Sequence, residues 1–497
     1  MPLSILLWLP AAAALIGALT PARVAPRVTL LGSFAALGIS IGYLASFSTG
    51  GGLQWVTDET WISELGVHYK LGIDGLNLLL IVMTTIVWAA VMLWANFTEW
   101  ERPRLFYFHF ALAESAVLGA FLAQDLLLFV AFFDLMLIPI YFLVGSWGGE
   151  HRVRATTKLV IYTLVGSLLM LAAAVATAVL AGPGEPITFV LSDLQRLPLA
   201  RGSQEWIFLC FAAAFLVKMP AFPLHGWVAD AYKAMPLPVV AAFSAVLSKV
   251  AAYGFLRIAL PLFPDAAEHF QTLILLVALA SILYGSAIAF TQTDARLVLA
   301  YSSIAQLGFI TLGIFSLRTD GGQGALLQML NHGLVTAPSF FIVALLAARA
   351  GGSENIRDMG GIAFRAPVLA SLFLVVAFAW LAMPGSTNFV GEFLILFGVF
   401  KAKIVFAFVA ATGVVLASVN VLRVFIRTMH NRVGPRVESR DIGLRDALVL
   451  VPLVLVIVAL SLYPQLALER SEPAVEGAIA PAQQAVAGGS STEVAQP

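Results

Sequence analysis

The chain consists largely of apolar segments that are each about as long as a lipid bilayer is thick. A hydrocarbon core about 30 Å across takes roughly 20 apolar residues per helix. Fourteen segments of this kind follow one another along the 497 residues, near 3–20, 28–47, 75–97, 104–123, 126–146, 159–181, 206–225, 237–260, 270–290, 297–316, 323–348, 366–400, 404–426 and 446–464. The pattern predicts an all-α polytopic membrane protein with about 14 transmembrane helices.

The composition agrees with this pattern and excludes several classes of protein. Hydrophobic residues make up 60% of the chain and charged residues 11%, whereas a soluble domain has about 45–50% and about 25%. A soluble multidomain enzyme and a nucleic-acid binder are therefore excluded. The single cysteine, Cys210, argues against a disulfide framework and against an iron–sulfur cluster held by this chain alone. No two histidines are spaced i, i+3 or i+4, and no glycine-rich phosphate loop is present, so neither a metal site nor a nucleotide site is expected.

The two ends of the chain differ in composition. The first apolar segment resembles a signal peptide, but Met1–Ser4 has no Lys or Arg side chain, so we expect it to remain as a mature helix. From Gln465 onward the composition changes to Ala, Gln, Glu, Ser and Gly, which predicts a solvated, disordered tail.

The placement of charge indicates an orientation, even though the 28 basic and 28 acidic residues cancel. If the N-terminus lies outside, the cytoplasmic loops and their flanks carry 18 basic residues and the opposite side carries 8. This asymmetry fits the positive-inside rule. We therefore expect a multi-pass protein of the cell (inner or plasma) membrane with both termini outside the cytoplasm.

Five ionisable residues remain inside the apolar segments. They are Glu114, Asp134, Lys218, Lys249 and Glu392. Each costs at least ~2.5–3.5 kcal/mol at mid-bilayer, so each is either a snorkelling or structurally paired residue or part of a proton route. The second interpretation is attractive because burial and an approaching opposite charge change proton affinity in opposite directions.

Two of these residues lie beside helix breakers. Lys218 precedes Met219-Pro220 in the seventh segment, and Pro384-Gly385 interrupts the twelfth segment eight residues before Glu392. Paired interruptions in corresponding places of two halves are typical of inverted-repeat transporters with a site at mid-membrane. The spacing predicts broken helices 7 and 12.

Two histidines are further candidates for proton transfer. His332 lies inside the eleventh segment, where a neutral imidazole suits proton transfer but also suits a hydrogen-bonded core position. His225, just after the first break, fits a relay and a structural role equally well. The other histidines lie in loops or near segment ends, and we interpret them as interface residues.

Several motifs together resemble one family. The run Leu381–Gly398, with Pro384-Gly385 and Gly391-Glu392-Phe393, is similar to a signature of the M-type (chain 4) antiporter-like membrane subunits of proton-pumping NADH:quinone oxidoreductase, respiratory complex I. The stretches Asp125–Gly149, Tyr162–Ser167 and Lys218–Trp227 resemble the same subunits. The resemblance extends over residues 1–465.

The resemblance implies an architecture and a division of labour. It implies two inverted five-helix repeats, with residues 1–103 forming helices 1–3, 104–260 the first repeat, 261–430 the second, and 431–497 helix 14 and a disordered tail. It implies antiporter-like L-type and N-type neighbours in the lipid bilayer and a peripheral module that handles NADH and quinone. No cofactor or metal is expected on this chain.

The resemblance also implies a proton route. Asp134, Lys218, Lys249, His332 and Glu392 match the family's proton-transfer positions, with Glu114 and His225 as secondary candidates. The family usually has Glu where this chain has Asp134, which shortens the reach to Lys218, and Tyr232 stands where the family commonly has a histidine.

Alternative functions share much of this pattern. A subunit of a multi-subunit Na⁺/H⁺ antiporter has the same fold and the lysine of helix 7, although Glu392 in its motif argues against it. A membrane-bound hydrogenase-type complex has the same pump with another redox module. A structural spacer is disfavoured by the buried charges.

Overall fold

The computed structural model describes residues 2–493, and side chains over residues 2–487. Met1 and residues 494–497, the last part of the predicted tail, lie outside the described residues. The first half of the chain contains α1 (Leu3–Leu19), α2 (Ala25–Ser46), β1 (Gln54–Ile62), β2 (Val67–Ile73), α3 (Leu78–Asn96), α4 (Pro103–Leu122), α5 (Leu126–Leu135), α6 (Leu137–Trp147), α7 (Arg152–Leu180), α8 (Leu191–Leu194), α9 (Arg201–Lys218) and α10 (Val228–Ala234).

The second half continues with helices of more varied length. They are α11 (Leu237–Ala242), α12 (Ser248–Gly254), α13 (Leu260–Leu262), α14 (Pro264–His269), α15 (Gln271–Thr291), α16 (Ala295–Ile314), α17 (Thr319–Arg349), α18 (Pro367–Trp380), α19 (Thr387–Ala402), α20 (Ile404–Met429), α21 (Leu444–Leu462) and α22 (Gln465–Glu493). Two π-helical turns, Phe243–Leu247 and Phe255–Ala259, join α11, α12 and α13 into one continuous rod.

The mostly helical membrane architecture predicted from the sequence is confirmed. Within the described residues, 11 helical segments are long and apolar enough to cross a membrane, counting α5–α6 and α11–α13 as one segment each. The remaining predicted spans fall on the shorter α1, on α9, which carries Arg201, Glu205 and Lys218, and on the interrupted pair α18–α19. The count of fourteen and the two inverted repeats stay predictions.

The C-terminal segment differs from the predicted disordered tail, at least as far as Glu493. Residues Gln465–Glu493 form the helix α22. Its apolar face is buried through Ala467, Val475, Ile479 and Ala482, whose spacing of three, four and eight residues places them on one side of a helix. Composition alone missed this face because small alanines and a few aliphatic residues suffice for a helix that packs against other helices.

An antiparallel hairpin is the exception to the all-α prediction. β1 and β2 pair with Thr60 opposite His68 and Asp58 opposite Lys70, whose side chains form an ion pair of 2.8 Å. Gly66 turns the chain with a φ of 63°, and a Cβ at this position would lie 2.1 Å from the Ile187 carbonyl oxygen. The hairpin therefore depends on a glycine that both adopts the left-handed conformation and lets another loop approach.

Loops assigned to the basic side by the charge pattern come together in space. Lys158 pairs with Asp230 (2.8 Å), and Arg296 pairs with Glu354 (2.5 Å). Lys233 contacts both Asp294 and Glu354. Partial burial alone would lower the pKa of Lys233, but hydrogen bonds and charge from Asp294 and Glu354 raise it above its usual value. One face of the protein is thus a continuous ionic surface, while the side on which each terminus lies stays a prediction.

Candidate functional site

The break in the predicted seventh transmembrane segment, which contains α9, places Lys218 at the end of a half-helix. α9 ends at Lys218, and Pro220, which has no N–H group, begins an irregular segment that leads to α10. The indole nitrogen of Trp227 donates to the Val217 carbonyl oxygen (3.1 Å), and the Ala221 N–H donates to the Leu216 carbonyl oxygen (2.9 Å). These bonds satisfy carbonyls that the break would otherwise leave unpaired in an apolar setting.

The Lys218 ammonium is buried and has no counter-ion in contact. Its side chain is 5% exposed, and Nζ donates to the Phe133 carbonyl oxygen (3.2 Å) and lies 4.4 Å from the centre of the Phe133 ring. Asp134 attracts it electrostatically but forms no ion pair within 4.0 Å of it among the described side chains. One carboxylate oxygen of Asp134 is buried without a hydrogen-bond partner. Asp134 and Lys218 are thus not in direct contact, and the shorter side chain as the cause stays a prediction.

Lys249 lies between the two π-helical turns. It is fully buried, and its Nζ donates to the Ser244 carbonyl oxygen (2.7 Å) and the Ser248 hydroxyl (3.3 Å). Ser244 belongs to the first π-helical turn, and such turns are frequent at functional sites. The second buried lysine, like Lys218, therefore has only neutral oxygen atoms as hydrogen-bond partners. Unlike those of Lys218, they belong to its own helical rod.

His332 faces this lysine from α17. Its ring is 1% exposed, Nε2 lies 3.3 Å from the Thr336 hydroxyl, and Nδ1 is buried without a partner. Lys249 and His332 interact electrostatically, and no hydrogen bond joins them among the described side chains. Gly333 makes this approach possible, because a Cβ there would lie 2.8 Å from the Ala245 carbonyl oxygen in the first π-helical turn.

The break in the predicted twelfth transmembrane segment, between α18 and α19, places Glu392 in the second turn of a half-helix. α18 ends at Trp380, and α19 begins at Thr387. Glu392 is 4% exposed, and its Oε1 accepts hydrogen bonds from the Gln306 side chain (2.9 Å) and the Gln328 side chain (3.4 Å). Gln328 also donates to the Gln306 side-chain oxygen (2.8 Å). The sequence interpretation did not single out either glutamine, although both lie in buried apolar segments.

Unpaired polar atoms cluster around this second break. Buried side-chain atoms without a hydrogen-bond partner belong to Asn331, His332, Trp380, Ser386, Thr387 and Asn388. Most buried polar atoms in proteins are paired, so such a cluster needs an explanation. These residues lie on α17, at the end of α18 and at the start of α19.

Among the described side chains, no hydrogen bond joins the two secondary candidates to these groups. Glu114 on α4 is fully buried and accepts a 2.5 Å hydrogen bond from Ser33 on α2. His225 lies in the first break, where its ring stacks beside Phe222 and Tyr284, with centroids 5.7 and 4.7 Å away. The ionic surface near it encloses a cavity of about 360 Å³ lined by Glu150, His151, Arg154, Asp230 and Lys233, among others.

One buried ion pair was missed from the sequence. Arg257, which the charge count assigned to an external flank, lies in the second π-helical turn and pairs with Asp74 at 2.6 Å. Arg257 also donates to the Tyr253 hydroxyl (2.9 Å), which donates to the Phe121 carbonyl oxygen (3.1 Å). Lys249, Tyr253 and Arg257 are four residues apart, a helical spacing that gives a signal in the sequence.

Comparisons with known proteins agree on one family. The model of the family described as "NADH:quinone oxidoreductase/Mrp antiporter, TM" matches residues 123–417. The NADH-quinone oxidoreductase subunit M of Rhodobacter capsulatus is 36% identical over 491 residues, which cover 95% of each chain. The protein of the same name from Escherichia coli strain K12 is 36% identical over 435 residues, or 85% of each chain.

Solved structures show the same similarity. A chain of respiratory complex I from Thermus thermophilus with bound NADH has a TM-score of 0.89 and 31% identity, covering 96% of this chain and 99% of that one. A chain of the Mrp complex from Dietzia sp. DQ12-45-1b has a TM-score of 0.84 at 22% identity, covering 97% and 99%. The second similarity concerns the fold alone.

Proposed function

Because the chain belongs to the family of transmembrane subunits of NADH:quinone oxidoreductases and Mrp antiporters, we propose that it translocates protons as the M-type membrane-arm subunit of such an oxidoreductase. Electron transfer from NADH to quinone takes place in partner subunits. This chain then carries no redox centre, cofactor or metal. Its neighbours in the proposal are the antiporter-like L-type and N-type subunits, and both of its termini lie outside the cytoplasm.

One observation carries the proposal: buried ionisable groups are held by neutral partners. Lys218 and Lys249 rest on carbonyl and hydroxyl oxygens, and Glu392 rests on two amide groups. Removing a charge from water costs several kcal/mol unless an opposite charge compensates for it. A chain that keeps three such groups without a contacting counter-ion maintains sites at which gain or loss of a proton is controlled by small changes nearby.

The proposed proton route runs from Lys218 to Glu392 in the order in which these residues occur along the chain. Approach or withdrawal of Asp134 changes the proton affinity of Lys218, because an opposite charge favours the charged form. The proton then passes by way of Lys249 and His332, which interact electrostatically, to Glu392. Neutral polar side chains near the second break are suited to hold water that would connect His332 with Glu392.

The energies required are compatible with this scheme. Moving one elementary charge against 100 mV costs about 2.3 kcal/mol. A charge pair near a protein surface gains about 4 kcal/mol at 4 Å. One carboxylate that closes on or opens from one lysine is therefore of the right order to drive one proton.

Reconstituted complex in proteoliposomes tests the proposal. Lys218→Ala, Lys249→Ala and Glu392→Gln are each expected to reduce the number of protons transported per NADH oxidised to background. Lys403→Ala, at an exposed lysine just before α20, is the matched control and is expected to transport normally. A wild-type ratio in the Lys218→Ala variant would overturn the assignment.

The alternative of a redox-independent Na⁺/H⁺ antiporter subunit is less well supported. The Mrp chain from Dietzia is similar in fold, at 22% identity, whereas relatives named subunit M are 36% identical over almost the whole chain. Copurification of NADH- and quinone-binding subunits with this chain in mild detergent is the expected result. Copurification with Mrp-type subunits alone would favour the alternative.

A further inference from the structure

A basic pocket lies where α15 and α20 end on the ionic face. It has a volume of about 230 Å³ and is lined by Arg357, Arg423 and Arg427 together with Phe290, Thr291 and Thr293, among others. The proton route described above uses none of these residues. The pocket therefore needs its own explanation.

The three arginines have no acidic partner. Within the described side chains, none of them forms an ion pair, and Arg357 and Arg427 make no side-chain hydrogen bond. Asp358, next to Arg357 in the chain, is instead hydrogen-bonded to the Ser353 hydroxyl (2.6 Å). Arg357 and Arg427 both act electrostatically on Arg423. Like charges that converge without compensation repel one another, so an anion bound among them would be stabilised.

The pocket is held in shape by the helices that form it. Arg423 donates to the carbonyl oxygens of Phe290 and Gln292 and lies over the Phe290 ring at 5.1 Å. Below it, Asn420 on α20 donates to the Ser286 carbonyl oxygen of α15 (2.8 Å). Arg423 is thus a fixed wall of the pocket, while Arg357 and Arg427 keep free donors.

The surroundings indicate the kind of anion. Along α20 toward the membrane interior, Val415, Val419, Leu422 and Ile426 are 63%, 42%, 42% and 47% exposed, and Phe290 on α15 is 51% exposed. A phosphate group at the arginines would therefore lie at the end of an apolar strip that continues into the hydrocarbon. A free phosphate gains nothing from that strip, whereas acyl chains do.

We propose that this pocket binds the phosphate headgroup of an anionic phospholipid, whose acyl chains lie along α20. Guanidinium groups suit phosphate because they form paired hydrogen bonds with it, and basic pockets between transmembrane helices on the cytoplasmic side bind anionic headgroups. The pocket lies on the face that carries most basic loop residues, where the charge pattern places the cytoplasmic leaflet.

Photolabelling of the intact complex tests this site. The complex is reconstituted in phosphatidylcholine vesicles that contain a photoactivatable phosphatidylglycerol or, in parallel, a photoactivatable phosphatidylcholine, and labelled peptides are mapped by mass spectrometry. Peptides from the end of α15 and the end of α20 are expected to label with phosphatidylglycerol well above phosphatidylcholine. The double variant Arg357→Gln/Arg427→Gln is expected to reduce that labelling about 30-fold, from about 1 kcal/mol per arginine.

The matched control removes the same charge elsewhere on the same face. Arg23→Gln/Arg27→Gln, at exposed residues just before α2 and in its first turn, is expected to label like the wild type, and excess inorganic phosphate is expected not to compete. Equal labelling by both lipids, or labelling that survives in the double variant, would overturn the proposal. Loss of labelling in excess phosphate would identify a free-phosphate site instead. Crosslinks from these peptides to a neighbouring subunit in place of lipid would show that a protein fills the pocket.

Discussion

The two broken helices hold their charges in opposite ways. Lys218 is the last residue of the half-helix α9, and its bound oxygen belongs to the backbone of Phe133. Glu392 lies in the second turn of the half-helix α19, and its partners are the side chains of Gln306 and Gln328. A cation is favoured at the C-terminal end of a helix, and an anion is favoured toward the N-terminal end. The first break thus supplies a helix end whose polarity suits Lys218, whereas Glu392 lies beyond the first turn of α19 and depends on its two amide partners.

The difference decides whether a side-chain substitution can remove the hydrogen-bond partner of the buried charge. At Lys218 the chain path itself provides the partner, so no side-chain substitution removes it. At Glu392 the partners are two amides that a substitution deletes one at a time. At the first site a substitution is therefore expected to act through Asp134, whereas at the second site it can delete the hydrogen-bond partners themselves.

The largest effect is expected when the first charge is removed. Lys218→Met keeps the length of the side chain and abolishes its charge, so proton transport per NADH is expected to fall to background. The thermal stability of the chain is expected to stay equal or rise, because the buried charge has no counter-ion in contact. Transport in proteoliposomes and thermal unfolding of the purified complex measure both. A clear loss of stability would show that Lys218 is compensated after all.

A smaller effect is expected at the partners of the second charge. Gln306→Leu removes the 2.9 Å hydrogen bond to Glu392, and a hydrogen bond to a charged group contributes about 1.5–3 kcal/mol. Proton transport is expected to fall about tenfold. Gln204→Leu, which removes a buried amide on α9 that donates to Asp265 and forms no hydrogen bond with Glu392 among the described side chains, is the control. Equal losses in the two variants would point to general destabilisation.

A third substitution tests the packing that brings α17 and α19 together. A Cβ at Gly324 would lie 2.6 Å from the Ile395 backbone nitrogen and 2.7 Å from the Gly391 carbonyl oxygen. Gly324→Ala is expected to cost about 1–3 kcal/mol through backbone displacement, seen as a lower unfolding temperature and weaker transport. Gly38→Ala on α2, where no atom lies within 4 Å of the added Cβ, is expected to be neutral. If both variants behaved alike, close packing at the second break would not matter.

The smallest effect is expected at the shortened acid. Asp134→Glu adds one methylene and keeps the carboxylate, so transport is expected to change least of all. Asp134→Asn, which keeps the size but not the charge, is expected to reduce transport far more. If the two variants were equally active, a carboxylate would not be needed at this position.

The sequence predicted what depends on local chemistry. Apolar length identified the membrane segments, and Pro220 and Pro384 located both breaks because proline removes a backbone donor. Proline alone does not end a helix, since Pro338 lies inside the continuous α17 and Pro452 inside α21. The buried residues Lys218, Lys249 and Glu392 stood out because charge is rare in such segments. Their roles in proton transfer stay predictions until they are tested.

Features that depend on the packing of distant segments could not be predicted from the sequence. Gln306 and Gln328 look unremarkable along the chain and become important only because α16, α17 and α19 meet. The same applies to the face of α22, to the pairing of Arg257 with Asp74, and to the hairpin that Gly66 turns. Each requires knowledge of which distant segment lies opposite, and hydrophobic periodicity carries no such information.

The two π-helical turns on either side of Lys249 each add one residue to this helix. Each turn closes its hydrogen bonds over five residues instead of four, so each contains one residue more than a regular helix would need. A residue in a regular helix is rotated by about 100° from the one before it. Removing Leu256, which precedes Arg257 in the second turn, is expected to rotate Arg257 away from Asp74 and to leave Lys249 in place. The two turns therefore set the directions of the charged side chains independently. Each direction depends on one additional residue in the helix, which substitutions alone do not reproduce.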